Sequence, residues 1–394
     1  MTVTPIFVLL CGVGFCSFVS YNLVRMPALA PFAESLGAGP VTVGFIVAAS
    51  TMTGILLKLP VGTLSDLVNR SRLMMVGVLA FALPPFVYPL VSNLEVLTVL
   101  RLVHGLATAV FTPLALAMVA DLYPATRGTA LGWYTSAAQG GALVGPMLGG
   151  WIIDTSGYTE TFLTGGGFGL VGLILYLVLW WRCPAPSRRV KLEAKVLFSN
   201  VLHGLRTVLR HLGMVAASVT EASKMMANGT LMAFLPLYAL SIGLSLAESG
   251  VLFGIQGLTS FLSKPVMGRV SDRVGRRPLI TLGLLVCGLS IMAVPQTTQL
   301  VWLALCAAGF GFGEAVITSS SAAMIADLGK AENVGAGMGL RGTIMDIGHA
   351  GGPIVAGVLV AAISYTGAFT IIGCLQLLTA AGFWIATSRL SRRL

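Results

Sequence analysis

Ionisable side chains inside otherwise apolar stretches are where the chemistry of this chain has to be sought: Arg25, Lys58, Arg101, His104, Glu221, Lys224, Lys264, Glu314, Arg341, Asp346 and His349. In hydrocarbon each would cost about 3 kcal/mol, so such residues line a wet cavity or pair with one another. Glu221 and Lys224 are three residues apart, as are Asp346 and His349, a spacing that places both members of a pair on one face of a helix. A carboxylate beside a histidine in a partly dry cavity can titrate near neutral pH, which is what a proton-coupling site requires. The same pairs can also do no more than neutralise themselves. No nucleophile constellation, metal-ligand spacing or phosphate-binding loop accompanies them, so neither an enzyme nor a bound cofactor or metal is expected.

These residues are carried on 394 residues of which 56% are hydrophobic and only 10% charged, with a mean hydropathy of +0.90. That balance excludes a soluble chain, and at about 20 residues per crossing there is room for roughly a dozen transmembrane helices. Apolar stretches between short polar breaks predict spans over 5–35, 40–62, 73–93, 95–121, 127–153, 161–182, 213–243, 246–268, 277–294, 299–327, 333–364 and 367–388. The first lacks a basic leader and a small-residue cleavage pattern and reads as a span, not as a cleaved signal. Cys11, Cys16, Cys183, Cys287, Cys306 and Cys374 have no paired spacing and predict no disulfide framework. The net charge of +10 would suggest a nucleic-acid partner in a soluble protein. Here the basic residues sit at membrane edges, and none is expected.

Orientation follows from those basic residues. Arg70, Arg72, Arg127, Arg182, Arg269, Arg273, Arg276, Arg277 and Lys330 lie in or beside the breaks after even-numbered spans, and Arg389, Arg392 and Arg393 close the chain. The breaks after odd-numbered spans hold no basic residue, while Glu34, Glu95, Asp154, Glu160 and Glu248 lie in or beside them. Both termini are therefore expected in the cytoplasm, together with the long polar interruption that carries Arg188, Arg189, Lys191, Lys195, Arg206 and Arg210. That interruption divides the chain into an N-terminal six-helix bundle (1–182), a linker (183–212) and a C-terminal six-helix bundle (213–394).

The two halves repeat each other. Lys58-Leu-Pro-Val-Gly62-Thr-Leu-Ser-Asp66 aligns with Lys264-Pro-Val-Met-Gly268-Arg-Val-Ser-Asp272 in one register, which then pairs Gly105 with Gly311 and Met118-Val-Ala-Asp-Leu with Met324-Ile-Ala-Asp-Leu. With one gap, Gly145-Pro146 falls on Gly352-Pro353. Collinear agreement of this kind implies two six-helix bundles related by an axis along the membrane normal, with a substrate cavity between them.

The loop from Gly62 through Asp66 to Arg70, and its echo from Gly268 through Asp272 to Arg276, resemble the signature cytoplasmic loop of the major facilitator superfamily. The resemblance covers the whole chain and implies an all-α membrane fold of twelve transmembrane helices in two pseudo-symmetric bundles. A carboxylate at the end of one helix can pair with basic residues across the bundle, bracing one conformation and releasing another. Arg101 with His104-Gly105 is similar to a second motif of the family, whose arginine is implicated in coupling in proton-driven members. Gly141-Ala-Leu-Val-Gly145-Pro146-Met-Leu-Gly149-Gly150 resembles the motif of its drug/proton antiporter branch. Small residues allow close packing and the proline removes one backbone hydrogen bond, giving a bendable gate helix.

Lys58 and Lys264 occupy equivalent places in the two repeats, and facing cations across a twofold axis would suit an anion. The arrangement is similar to the paired arginines of nitrate/nitrite carriers, without their glycine-and-asparagine signature, so a larger anionic or zwitterionic substrate fits better. Each lysine can instead snorkel toward the cytoplasm. Asn22 and Asn228 also fall in register, where amides orient a polar substrate or join neighbouring helices. Taken together, the residues predict an integral protein of a bacterial inner membrane, a monomer, that exports a small organic substrate by alternating access against proton entry. Asn22, Arg25, Lys58, Asn228, Lys264, Glu314 and Arg341 are the expected substrate contacts, and Arg101, Glu221, Asp346 and His349 the expected coupling residues. An anion uniporter or symporter built on the Lys58/Lys264 pair is the alternative, and a non-transporting sensor on the same fold a third class.

Overall fold

The computed structural model describes residues 4–67, 70–182, 211–328 and 334–388, with backbone alone at 59–60, 62–67 and 334–340. Among the described residues there are twelve long helices: α1 (Pro5–Arg25), α2 (Pro40–Leu67), α3 (Arg70–Ala82), α4 (Leu94–Leu122), α5 (Arg127–Ser156), α6 (Tyr158–Arg182), α7 (Leu212–Ser241), α8 (Leu246–Val274), α9 (Arg276–Ala293), α10 (Leu300–Leu328), α11 (Val334–Ala362) and α12 (Tyr365–Ser388). A helix satisfies its backbone polar groups internally, which is what lets a single segment cross hydrocarbon. Nine stretches among the described residues are long and apolar enough to span a bilayer by composition alone. The helices outside that set are α5, rich in glycine, α7, which carries Glu221 and Lys224, and α8, which carries Lys264. These three helices carry the gate-like glycine stretch, the Glu221/Lys224 pair and Lys264.

Two expected spans are interrupted. The first breaks after Arg25, where Met26 is extended, and resumes as a short helix over Leu29–Ser35. Pro27 explains the break, because its ring disfavours the helical conformation of the residue before it. In the third, α3 stops at Ala82 and the chain turns through Pro84–Val87 and Tyr88–Leu90, paced by Pro84 and Pro85. Those turns swing Tyr88 into the protein interior, where it is fully buried.

Two compact units are formed. The first comprises Met1–Ala38, Ala49–Glu193 and Ser245–Val251, and the second Gly39–Ala48, Ala194–Leu244 and Leu252–Leu394. In the first, α1 packs on α5 and α6, and α3 on α4 and α6. In the second, α7 packs on α11 and α12, and α9 on α10 and α12. These are the same pairings moved six helices along the chain, as the sequence repeat requires. The closest approaches repeat as well. A Cβ added at Gly141 would lie 2.3 Å from the carbonyl oxygen of Phe15 on α1, and one at Gly348 would lie 2.1 Å from that of Ala222 on α7. Only glycine fits at either place, and backbone-to-backbone packing of this kind is how helices associate where no hydrophobic force separates protein from lipid.

The expected linker lies outside the described residues apart from His211 and Leu212, as do the C-terminal arginines, Arg389, Arg392 and Arg393.

Candidate functional site

In the first unit the charge that needs explaining is Arg101, on α4, whose side chain is fully buried. Its guanidinium donates from Nη2 to Ser50 Oγ at 2.5 Å and from Nη1 to the Tyr88 hydroxyl at 3.3 Å, and its Cζ stands 5.9 Å from the centre of the Tyr21 ring. Tyr88 in turn meets His104 Nδ1 at 3.1 Å, and Tyr21 donates to the same Ser50 oxygen at 3.0 Å. The cation is held by two hydroxyls and an aromatic face. Among the described residues no ion pair is seen for it. Local sequence positions every member: Arg101 and His104 are three apart on α4, Tyr21 and Arg25 four apart on α1, and the proline turn brings in Tyr88. Arg25 donates to Thr51 Oγ1 at 3.3 Å and lies 5.6 Å from the Tyr21 ring, which joins it to the same cluster.

The second unit holds the complement. Glu221 and Lys224 on α7 are fully buried and paired at 2.9 Å. Arg341, from α11, reaches the other carboxylate oxygen of Glu221 at 2.6 Å, and Ser321 of α10 donates to that oxygen at 2.6 Å. Lys224 also donates to Thr318 Oγ1 at 2.8 Å, and Arg341 to the Thr318 carbonyl at 3.4 Å. One carboxylate thus ties together three helices through two cations. Arg341, expected among substrate contacts, and Glu221, expected in coupling, are partners. Half-buried Lys264 stands within electrostatic reach of Glu314, Lys224 and Glu221, which extends the cluster to α8. Asp346 is 6% exposed and His349 is half-buried, its ring carbon Cδ2 3.2 Å from where a Cβ at Gly229 would stand.

The remaining expected residues are placed as follows. Asn22 is buried and donates to the Phe18 carbonyl one turn back at 2.9 Å, an intrahelical bond, and Asn228 is half-buried. Lys58 is half-buried and bends back along its own helix, with its ammonium nitrogen 4.0 Å from the Cβ position of Gly54. It runs toward the middle of α2 instead of reaching for the helix end. Substituting Gly54 by Leu should push that ammonium aside. If Lys58 serves an anion, the apparent affinity for anionic compounds should fall about ten-fold in an uptake assay, with expression unchanged.

In the loop pairs, Arg70 binds Asp121 at 2.5 Å, and Arg276 binds Asp272 at 2.5 Å and Asp327 at 2.9 Å. Only the backbone is described at Gly62 and Asp66, and Gly268 is open on its Cβ side. Asp121 and Asp327 were not singled out from the sequence, although the repeated Val/Ile-Ala-Asp-Leu segments display them in matching positions. Tyr21, Ser50, Tyr88, Thr318 and Ser321 were also missed.

On α5, Gly145 and Gly149 face α1. Their Cβ positions lie 3.0 Å from the Val19 carbonyl oxygen and 2.9 Å from that of Leu23. Pro146 is buried in the same helix. The stretch expected to be a gate helix is packed backbone against backbone.

Comparison with known proteins agrees with this architecture. The profile of the Major Facilitator Superfamily matches residues 10–222 and again 217–393. The multidrug resistance protein MdtG of Dickeya zeae is 24% identical over 96% of this chain and 93% of its own. The multi-drug resistance efflux pump PmrA of Streptococcus pneumoniae is 28% identical over 68% of this chain and 67% of its own. Among solved structures, a bacterial homologue of the human lysosomal transporter Spinster superposes with a TM-score of 0.82 at 15% identity, covering 98% of both chains. The nucleoside transporter NupG superposes with a TM-score of 0.81 at 12% identity, covering 97% of this chain and all of that one.

Proposed function

This chain belongs to the major facilitator superfamily, and from that premise we propose that it exports small, drug-like organic compounds by alternating access in exchange for protons. The observation that carries the reading is α5: its glycines at 141, 145 and 149 seat directly on the backbone of α1. A helix so closely packed, in which Pro146 removes one backbone hydrogen bond, moves as a bendable gate. Relatives named for multidrug efflux support the same direction of transport.

In this reading both termini face the cytoplasm of a bacterial inner membrane, the working unit is a monomer, and residues 1–182 and 213–394 are the two rocking bundles. Glu221 is a brace: with Lys224, Arg341 and Ser321 on its oxygens it fixes α7, α10 and α11 together. The proton is taken by Asp346 beside His349 on α11 and by Glu314 within electrostatic reach of Lys264. Arg101 holds α4 to α2 through Ser50 and passes the state of that contact to Tyr21 and Arg25. Asn228, Arg25 and Lys58 orient the substrate.

A second reading, an anion carrier, is favoured by one observation. Away from the ends of the spans, the charged and histidine side chains described in the first unit are Arg25, Lys58, Arg101 and His104, while the carboxylates Glu34, Glu95 and Asp121 lie at span ends.

One experiment separates the two: proteoliposomes carrying an imposed pH gradient, challenged with lipophilic cations, neutral drugs and organic anions. For an exporter, a cationic or neutral compound collapses the gradient in the parent, and Asp346→Asn reduces that response at least ten-fold while the Lys58→Gln, Lys264→Gln double variant retains it. Transport confined to anions and lost in the double variant would establish the anion carrier instead.

A further inference from the structure

The acidic residue Asp154 stands in the last turn of α5, where a negative charge opposes the helix's own dipole. The first turn of α8 explains it. Asp154 accepts from the backbone amide of Leu246 at 3.2 Å through one oxygen and from that of Ala247 at 2.8 Å through the other. The neighbouring amides are already satisfied within α8. Glu248 accepts from the Ser245 amide at 2.7 Å, and the Ser245 hydroxyl accepts from the Glu248 amide at 3.2 Å, a reciprocal capping box. The Ser249 amide then starts the helical ladder on the Ser245 carbonyl. Every orphan donor of this helix start is accounted for, and two of them are held by another helix.

The backbones cross just beside this cap. A Cβ at Gly150 would lie 2.3 Å from the Leu246 carbonyl oxygen, and one at Gly250 would lie 2.4 Å from that of Pro146. The repeat supplies a control inside the same molecule. In the second unit a Cβ at Gly357 would lie 2.5 Å from the Pro40 carbonyl oxygen and one at Gly44 would lie 2.3 Å from that of Pro353, the same crossing of a helix start on a glycine-proline helix. The capping differs. The place of Asp154 is taken by Ala361, Pro40 has no amide hydrogen to offer, and the first turn of α2 contains no acidic residue.

We propose that Asp154 is a positioning residue of the transport cycle, a carboxylate latch that holds the first turn of α8 on α5 and makes this crossing harder to part than its repeat-related counterpart of α2 on α11. The inference rests on the alternating-access reading above, in which such crossings separate. Two equal crossings would open in concert, whereas one latched crossing makes its release a distinct step that sets the turnover rate and leaves substrate affinity alone.

The test uses buried reporters in equivalent places, Ser249→Cys at the latched crossing and Val43→Cys at the other, 0% and 1% exposed respectively. Each is made in the full-length protein with its native cysteines replaced by serine or alanine. Membrane-impermeant maleimide is added to the outer face of vesicles. Asp154→Asn should raise the labelling rate at position 249 about five-fold, the scale of a lost charged cap. It should change position 43 less than two-fold, with Asp154→Glu restoring the parent rate. In the transport assay Asp154→Asn should alter maximal velocity with KM unchanged. Unaltered labelling at 249, or equal increases at both positions, would overturn the latch. A labelling change confined to 249 in a protein that moves no tested compound would leave the latch standing and remove the transport reading instead.

Discussion

Replacing Glu221 by Gln should be the most damaging single change in the protein. It leaves Lys224 and Arg341 facing one another without their shared counter-charge, in a place where Glu221 and Lys224 are both fully buried. Removing one partner of a buried ion pair costs about 3–5 kcal/mol. With two cations left on the site, the upper end of that range is expected. The folded yield from membranes should drop several-fold, the thermal midpoint in detergent should fall by several degrees, and transport should be lost. A second variant separates folding from function. Glu221→Gln with Lys224→Met returns the cluster to the net charge it has in the parent, one positive charge on Arg341, and should recover most of the thermal midpoint. If the single variant melts with the parent, the three-helix brace does not exist as described.

The second large effect is expected from Arg101→Lys. Its guanidinium reaches Ser50 and Tyr88 from separate nitrogens and presents its face to Tyr21. A lysine ammonium is a single point on a flexible stem and cannot bridge those partners. Each lost hydrogen bond to a buried charge is worth about 1.5–3 kcal/mol. The charge-conserving change should therefore reduce transport by at least ten-fold, nearly as much as Arg101→Ala. A lysine variant with more than half of the parent rate would mean that charge alone matters at this position and that the hydroxyl cradle does not.

The helices and their repeat could be read from the chain because hydropathy and register are properties of neighbouring residues. Where the helix is continuous, span limits agree within three residues, except that α2 and α8 run on to Leu67 and Val274, five and six residues past their expected ends. They depart at Pro27 and at Pro84–Pro85, where backbone restriction overrides hydrophobicity. The pairing of Glu221 with Lys224 was visible for the same local reason. Its tie to Arg341, 120 positions away, was not, because the packing of α7 on α11 brings them together and no linear pattern records it. Tyr21 and Tyr88 escaped notice because an aromatic residue in an apolar run is indistinguishable from core until its hydroxyl finds a partner. Asp121 and Asp327 are a different case. The aligned halves displayed them, and only the geometry gave them a role, as the acceptors of Arg70 and Arg276.

The pairing of Glu221 with Lys224 along a single helix also bears on how the protein is made. A nascent α7 has to leave the translocon for lipid before α10 and α11 have been synthesised, and it is not among the segments apolar enough to do so on composition alone. Two opposite charges one turn apart let it partition as a locally neutral unit, at a fraction of the cost of either charge alone. Arg341 then arrives with α11 and finds a carboxylate already in the membrane, so that the last charged helix of the chain is received by a site prepared for it. The order of synthesis thus brings the neutral pair into the membrane first and the cation that completes the brace after it.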